Sequence, residues 1–313
     1  MPAVPSASVR AAVPEDLPAL RRIAEAALSR DPDASALPDL LWPTAAPEFA
    51  VVAEADGGPV GFALGSLGPV PQDPAMTRRG HVNMLAVDAA VRRRGIGGAL
   101  LAELEKRLLA AGAVDLVVGG ATPVFAWPGI DVRYTAASCL VEARGYAPTL
   151  HGVNMTVDLA DAEANGRLAT AADEERLAAE GIAVRRLTEA DREPITPWLT
   201  SWGGTWGRET LSTLGNANAG TYIAVLRDGA ADAEYVGFAS FGVNRAGWFG
   251  PMGTGGPLRK LGIGGVLLRR CLADLHAQGQ ATAQICWVGP VAFYARTVDA
   301  YVERVFWLYR KER

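Results

Sequence analysis

The sequence predicts an α/β (α+β) protein of two tandem domains, each a mixed central sheet flanked by helices. A loop rich in arginine and glycine runs into a long helix twice. It does so in DAAVRRRGIGGALLAELEKRLLAAG from Asp88, and in GGPLRKLGIGGVLLRRCLADLHAQG from Gly255. Strand-like and helix-like patterns alternate through each half, which is the mark of an α/β or mixed domain. The 313 residues also exceed what one core usually holds, ~250–300 residues.

In chain order, SVRAAV reads as a strand and EDLPALRRIAEAAL as an amphipathic helix. FAVVAEADGGPVGFALGSL reads as a hairpin turning at Asp56-Gly57-Gly58. HVNMLAV is a strand leading into the first loop, and DLVVGG is a strand following the helix. The two loops align with Arg92 on Arg259, Gly95 on Gly262, Gly97 on Gly264 and Gly98 on Gly265, a constant offset of 167. The offset persists through the helices, where Leu100, Leu101, Leu104 and Leu108 match Leu267, Leu268, Cys271 and Leu275. Such spacing makes one buried stripe, and Gly112 and Gly279 stand where each helix should stop. Weaker echoes lie upstream at an offset of 175 to 176. VRAAVPEDLPAL from Val9 resembles VRRLTEADREPI from Val184, and PVGFALG from Pro59 resembles YVGFASF from Tyr235. Between the halves, Leu159 to Gly181 is polar, rich in alanine and glutamate, and lacks a clear apolar face. The expected organisation is therefore a first domain over 1–158, a linker over 159–182 and a second domain over 183–313.

Half of the residues are apolar, a fifth are charged and the formal charge is −4, a balance that argues against a nucleic-acid partner. No stretch approaches ~18 uninterrupted apolar residues, so no membrane partner is expected. The first residues lack the apolar core and cleavage site of a signal peptide. Cys139, Cys271 and Cys286 form no C-x-x-C pair, which suggests reduced thiols and a cytoplasmic protein. No metal site is expected.

The chemistry should sit at the loops. The first backbone N–H groups of a helix have no internal partners and carry the positive end of its dipole. Glycines there let a ligand approach, and arginines add charge, so the terminus suits a phosphate or pyrophosphate. A Walker loop is excluded because no Gly-Lys-Ser/Thr occurs. A dinucleotide fingerprint would need glycines where Leu100 and Leu267 stand. What remains is R-x-x-G-x-G with a strand before it and a helix after it. In this the sequence resembles the GNAT family of acyl-CoA-dependent N-acetyltransferases, and the resemblance covers both halves.

That resemblance implies acetyl-CoA as cosubstrate, with its pyrophosphate on Arg92, Arg93, Arg94, Gly95, Ile96, Gly97, Gly98 and Ala99. In the second half Arg259, Lys260, Gly262, Gly264 and Gly265 would do the same. It implies that the fourth and fifth strands splay to admit the pantetheine arm, which pairs with the backbone of Leu85, Ala86 and Val87. These strands are HVNMLAV and DLVVGG in the first half, and GWFGPMGT and TAQICWV in the second. His81 stands in the slot used for proton removal by arylalkylamine acetyltransferases, with Asn83 two residues on. Its other reading is a histidine merely exposed or bonded to a neighbour. The acid is usually a tyrosine on the last helix. Val141 occupies that slot in the first half, with Tyr134 as a substitute and Arg133 as a substrate ligand. Tyr294 occupies it in the second half, as acid or as a packing tyrosine. There Trp248 replaces the histidine, and Gly250-Pro251 interrupts the fourth strand. Six tryptophans fall in the second half, with core packing as their default role.

The resulting expectation is an N-acetyltransferase in which the primary amine of a small molecule attacks the acetyl thioester directly. The rival is an acyl-CoA-binding regulatory protein with one or both domains inactive. Polyamine, aminoglycoside, amino sugar, amino acid and peptide N-terminus all stay open as acceptors. Because the family accepts alanine at the position of Gly97, Gly97→Ala should be tolerated better than Gly97→Val. Calorimetry of acetyl-CoA binding checks this: unchanged affinity in a folded valine variant removes the first loop from the site.

Overall fold

The computed structural model describes residues 8–55, 57–68, 78–120 and 124–312. The chain divides into two compact units. One runs to Gly152 and is taken up again from Phe306; the other is Val153–Val305. The first unit begins with β1 (Ser8–Ala11), α1 (Leu17–Ala27), α2 (Leu37–Leu41), β2 (Ala50–Ala55) and β3 (Gly58–Leu67). It continues with β4 (Arg79–Val87), α3 (Ile96–Ala110), β5 (Asp115–Val118), β6 (Ile130–Asp131), α4 (Thr135–Ala143) and the start of β7 (Ala147–Asp158). The second unit holds α5 (Leu159–Ala164), α6 (Ala171–Ala179), β8 (Ile182–Arg186), α7 (Arg192–Ser201), α8 (Trp206–Leu211) and β9 (Gly220–Leu226). It goes on through β10 (Glu234–Phe241), β11 (Trp248–Thr254), α9 (Ile263–Ala277), β12 (Thr282–Ile285), α10 (Val291–Val298) and into β13 (Tyr301–Glu312).

Both helices after the glycine loops bury the stripe that the repeat marks. Leu100, Leu101, Leu104 and Leu108 of α3 are sealed from solvent, as are Leu267, Leu268 and Cys271 of α9. Each leucine so buried contributes about 1.5–3 kcal/mol. Gly112 and Gly279 adopt left-handed backbone (φ +95° and +83°) and close the helices, with Ala113 N–H on Leu108 O and Gln280 N–H on Leu275 O. The upstream echo is also structural. Arg10 pairs with Asp16, which accepts from Val13 N–H; Arg185 pairs with Asp191, which accepts from Thr188 N–H. The hairpin falls where the sequence puts it, since Ala55 faces Gly58 and Gly57 is left-handed, while Asp56 lies outside the described residues.

Two features depart from the expected boundaries. The first sheet runs β1-β2-β3-β4-β5 and is then extended by the end of β13, with Arg310 opposite Val117. The second runs β8-β9-β10-β11-β12 and is extended by the later part of β7, with Met155 opposite Ile285. Phe306 and Tyr309 thus lie in the cores of the first unit, and Met155 and Val157 in that of the second. The chain exchanges its final strands, so sequence order does not mark the units.

The segment expected as a linker is also part of the second unit. Leu159, Ala162, Leu168 and Leu177 are buried in that unit's main core. Arg269 and Arg270 of α9 pair with Asp173 and Glu174 of α6, and Arg270 does so through both guanidinium arms at 2.5 Å. The apolar side chains are sparse, so no periodic face shows in the sequence, yet each finds α9 or the sheet. Truncating Leu177, which has no exposed surface, tests the assignment. Leu177→Ala should cost about 2–5 kcal/mol in denaturant unfolding, whereas a side chain on a solvated tether would cost almost nothing.

Candidate active site

In the first unit β4 and β5 begin as a parallel ladder and then separate. Pairing runs from Arg79–Asp115 to Val82–Val118, and Gly119 N–H closes it on Val82 O at 2.8 Å. Past that point, among the described residues, β4 keeps only β3 as a ladder partner. The separation coincides with a bulge: Leu64 faces Met84 while Gly65 faces Val82, leaving Asn83 as the extra residue. A bulge bends its strand and raises the local twist. The result is a wedge with the Leu85–Val87 backbone along one edge.

At the open end of the wedge Asp88 turns the chain, accepting from Ala90 N–H and from Arg22. Arg92 folds back so that its Nε donates to Val87 O at 3.0 Å. Arg93 and Arg94 are exposed. Gly95 is left-handed (φ +83°) and caps α3, so that the N–H groups of Ile96, Gly97 and Gly98 open the helix. An added Cβ would meet nothing within 4 Å at Gly95 or Gly98. At Gly97 it would lie 3.3 Å from Leu140 of α4, with Val87 and Leu85 at 3.7 and 3.9 Å. Ala99, one turn in, is exposed.

The second unit repeats this frame at the same offset of 167. β11 and β12 pair at Trp248–Gln284 and Phe249–Ile285, after which Cys286 N–H bonds Phe249 O. Between Ala239–Met252 and Phe241–Phe249 the register slips, and the extra length falls at Gly250-Pro251, the counterpart of Asn83. The proline therefore does not break the strand, because it lies where the ladder already skips a pair. Gly262 is left-handed (φ +81°) and caps α9. A Cβ on Gly264 would meet Phe293 as one on Gly97 meets Leu140, so Tyr294 occupies the place of Val141.

Around the second loop the surroundings differ. Arg176 of α6 donates to Leu261 O at 2.8 Å, and its other guanidinium arm lies 3.3 Å from where a Cβ on Gly262 would be. Asp173 accepts from both Arg176 and Arg269, and Arg269 also bonds Gly265 O. Gly265 N–H is turned inward to Gly262 O at 3.0 Å. Lys260 is exposed, and the side chain of Arg259 lies outside the described residues.

His81, on β4 before the bulge, is partly buried, with Ser66 of β3 directly opposite. Asn83 bonds Ser66 Oγ at 3.0 Å, placing all three on one face. His81 Nδ1 lies 3.0 Å from Gly119 O. Burial holds the imidazole below its usual 6.5; Gly119 and Asp115 act against that and Arg79 acts with it. In the second unit Trp248 fills the matching position, buried, with Arg245 4.4 Å from its ring centre. Tyr294 is buried against Phe249 and Phe293, and its hydroxyl has no hydrogen-bond partner among the described residues. Burial pushes that hydroxyl up to about 12.

Tyr134 is differently placed. Its hydroxyl donates to Asp31 at 2.8 Å and accepts from Arg30 N–H at 2.9 Å, while Trp127 donates to the same Asp31. From the start of α4 its proton is thus committed to a carboxylate in the segment between α1 and α2. Arg133 is held by Asp131 through two guanidinium nitrogens. Trp198 and Trp202 pack on Phe238 in the core and Trp248 is buried, whereas Trp206, Trp287 and Trp307 are exposed, so core packing holds for half of the six. The sequence reading missed Gly119, Ser66 and Arg176. Only the two consecutive glycines at 119–120 carried any sign of a special backbone.

Residues 17–122 match the Acetyltransferase (GNAT) family. No curated protein matches the sequence. A tandem GNAT protein from the clavulanic acid biosynthesis pathway is 15% identical, with 98% of each chain covered and a TM-score of 0.67. A GCN5-related N-acetyltransferase from Sphaerobacter thermophilus is 21% identical, covering 99% of this chain and 97% of its own, at a TM-score of 0.64. The GCN5-related glucosamine N-acetyltransferase region of a fungal multi-domain GH3 β-N-acetylglucosaminidase is 17% identical at a TM-score of 0.76. It covers 99% of this chain, which spans 38% of the length of that one. Residues 17–122 thus carry the family match, and the chain as a whole has the fold of tandem GNAT proteins. Among the described residues no helix is long and apolar enough to cross a membrane.

If the bulge is what opens the wedge, its support should matter for cofactor access. Ser66→Val removes the hydroxyl that holds the Asn83 amide and leaves a buried polar group unpaired, a cost of about 1–3 kcal/mol. The variant should unfold at lower denaturant and bind acetyl-CoA more weakly; unchanged affinity would separate the bulge from the site.

Proposed function

We propose that the chain is an acetyl-CoA-dependent N-acetyltransferase for a small-molecule primary amine, and that the first unit does the chemistry. The observation that carries this reading is the wedge between β4 and β5, lying over a left-handed glycine cap and edged by His81. The residues fit the cosubstrate. The N–H groups of Ile96, Gly97 and Gly98, with the exposed Arg93 and Arg94, would hold its pyrophosphate. The Leu85–Val87 edge that β5 leaves, where Arg92 Nε already holds Val87 O, would pair with the pantetheine amides as an added strand does. When bound, acetyl-CoA supplies an acetyl thioester as the electrophile.

His81 is the base in this reading. Buried and held below its usual pKa, its imidazole is neutral at neutral pH and ready to take a proton from the attacking ammonium or amine. Val141 offers no acid, and Tyr134 is bound to Asp31, so the thiolate leaves without a tyrosine proton. The second unit has a tyrosine in the acid position but a tryptophan in place of the base. Arg176 and Asp173 of α6 lie over its loop. We assign it no turnover, and the rival of a wholly non-catalytic acyl-CoA binder is supported chiefly by Val141. Thioester cleavage with a panel of amines, glucosamine and polyamines included, distinguishes the two.

His81→Ala should lower kcat by ~10²–10⁴-fold, with acetyl-CoA affinity barely changed. The wild-type rate should rise with pH through a step below 6.5, since burial lowers the pKa and the neutral form is the active one. That step should vanish in the variant, measured with an acceptor whose own amine does not titrate there. Retention of both rate and step would make His81 structural.

Cofactor stoichiometry tests the choice of unit. Gly97→Val should abolish acetyl-CoA binding and Gly264→Val should leave it intact. Loss only in the Gly264 variant would transfer the site to the second unit.

A further inference from the structure

We propose that the main-chain carbonyl of Gly119 fixes the tautomer of His81, making Nε2 the atom that accepts the proton. This deepens the reading of His81 as base and rests on it. A carbonyl oxygen only accepts hydrogen bonds, so the 3.0 Å contact requires the hydrogen to be on Nδ1. A neutral imidazole carries one such hydrogen, and the lone pair is therefore left on Nε2. Nε2 faces the end of β3, 3.9 Å from where a Cβ on Gly68 would lie.

The carbonyl is aimed by backbone that only glycine adopts comfortably. Gly119 has φ +79° and Gly120 φ +63°. The Gly119 N–H is fixed on Val82 O, and the Gly120 N–H on Trp127 O at 2.9 Å. A Cβ on Gly119 would lie 2.9 Å from Trp127 O and 3.2 Å from Gly129 N. The second unit serves as an internal control. Its counterpart of Gly119 is Cys286, whose N–H makes the matching bond to Phe249 O. Left-handed backbone begins there only one residue later, at Trp287 (φ +50°), the counterpart of Gly120. The extra left-handed glycine thus occurs in the unit that has the histidine and is absent from the one with Trp248.

The charged groups near the ring are Arg79 on its own strand and Asp115 on β5, and Asp115 also pairs with Arg310 of β13. They act in opposite directions on the imidazolium. The Gly119 bond stabilises the charged ring and sets its orientation, as the third group of a catalytic relay does. Gly119 is a positioning residue: it touches the base and not the substrate.

The test uses the whole chain with 15N-labelled histidine. It holds three histidines, and His81→Ala identifies the signal. Above the pKa, Nδ1 should be the protonated nitrogen; a neutral ring protonated at Nε2 overturns the proposal whatever the activity. Gly119→Ala should give a mixture of tautomers, move the pH step of acetyl transfer to lower pH, and reduce kcat with acetyl-CoA affinity unchanged. An unmoved step and an unmixed tautomer in that folded variant also overturn it. Should the variant fail to fold, the wild-type tautomer decides alone. An Nδ1-protonated ring in an enzyme with no pH step would uphold the tautomer and overturn the role of His81 as base.

Discussion

Among the described residues four pairs join β4 to β5, and the first unit's candidate site depends on that ladder ending where it does. Were it to continue, the backbone of Leu85–Val87 would be satisfied by a neighbouring strand and could hold nothing else. Because it stops, the Leu85–Val87 edge lies open beside a helix terminus except at Val87 O, which Arg92 Nε holds. Unpaired backbone of this kind is normally a hazard at a sheet edge. Here it is confined to the inside of a wedge, where it can pair with an amide-bearing ligand. Asn83 bends the strand to make the opening, and Ser66 satisfies the amide that the bend brings inward.

The two units show what can change once that frame is fixed. The strand separation, the bulge, the left-handed cap and the helix stripe recur at one offset. Several side chains at matching positions do not. Histidine becomes tryptophan, valine becomes tyrosine, and a left-handed glycine becomes Cys286. The pair of groups that would serve base and acid is divided between the units, one in each. The second loop also lies under carboxylates and guanidinium groups of its own chain, which answer each other's charge locally.

What the sequence revealed and what it hid follow from the range of the forces involved. The glycine caps and the leucine stripes are local: their residues lie within a turn or two of each other, so spacing alone discloses them. Asn83 as a bulge is not local, because it depends on how β3 counts against β4. The burial of α5 and α6 in the second unit was hidden for a different reason. Leu159, Leu168 and Leu177 are too few and too irregular to make a periodic face, and their burial depends on partners a hundred residues away. The role of Gly119 needed both causes to be resolved, since its carbonyl meets a ring 38 residues earlier in the chain. The resemblance drawn from the loops agrees with the family match over residues 17–122, and the particular arrangement of Tyr134, held by Asp31, emerged only in three dimensions.

The exchange of final strands fixes an order of events during synthesis. Phe306 and Tyr309, which complete the first unit's cores, leave the ribosome after every residue of the second unit. Until then the first unit has an open edge at β5 and vacancies where two large rings belong. The second unit, by contrast, receives its borrowed strand early, since β7 precedes all the rest of it. Its sheet can close as soon as β12 is made. The half that comes first in the chain is therefore the half whose core is completed last.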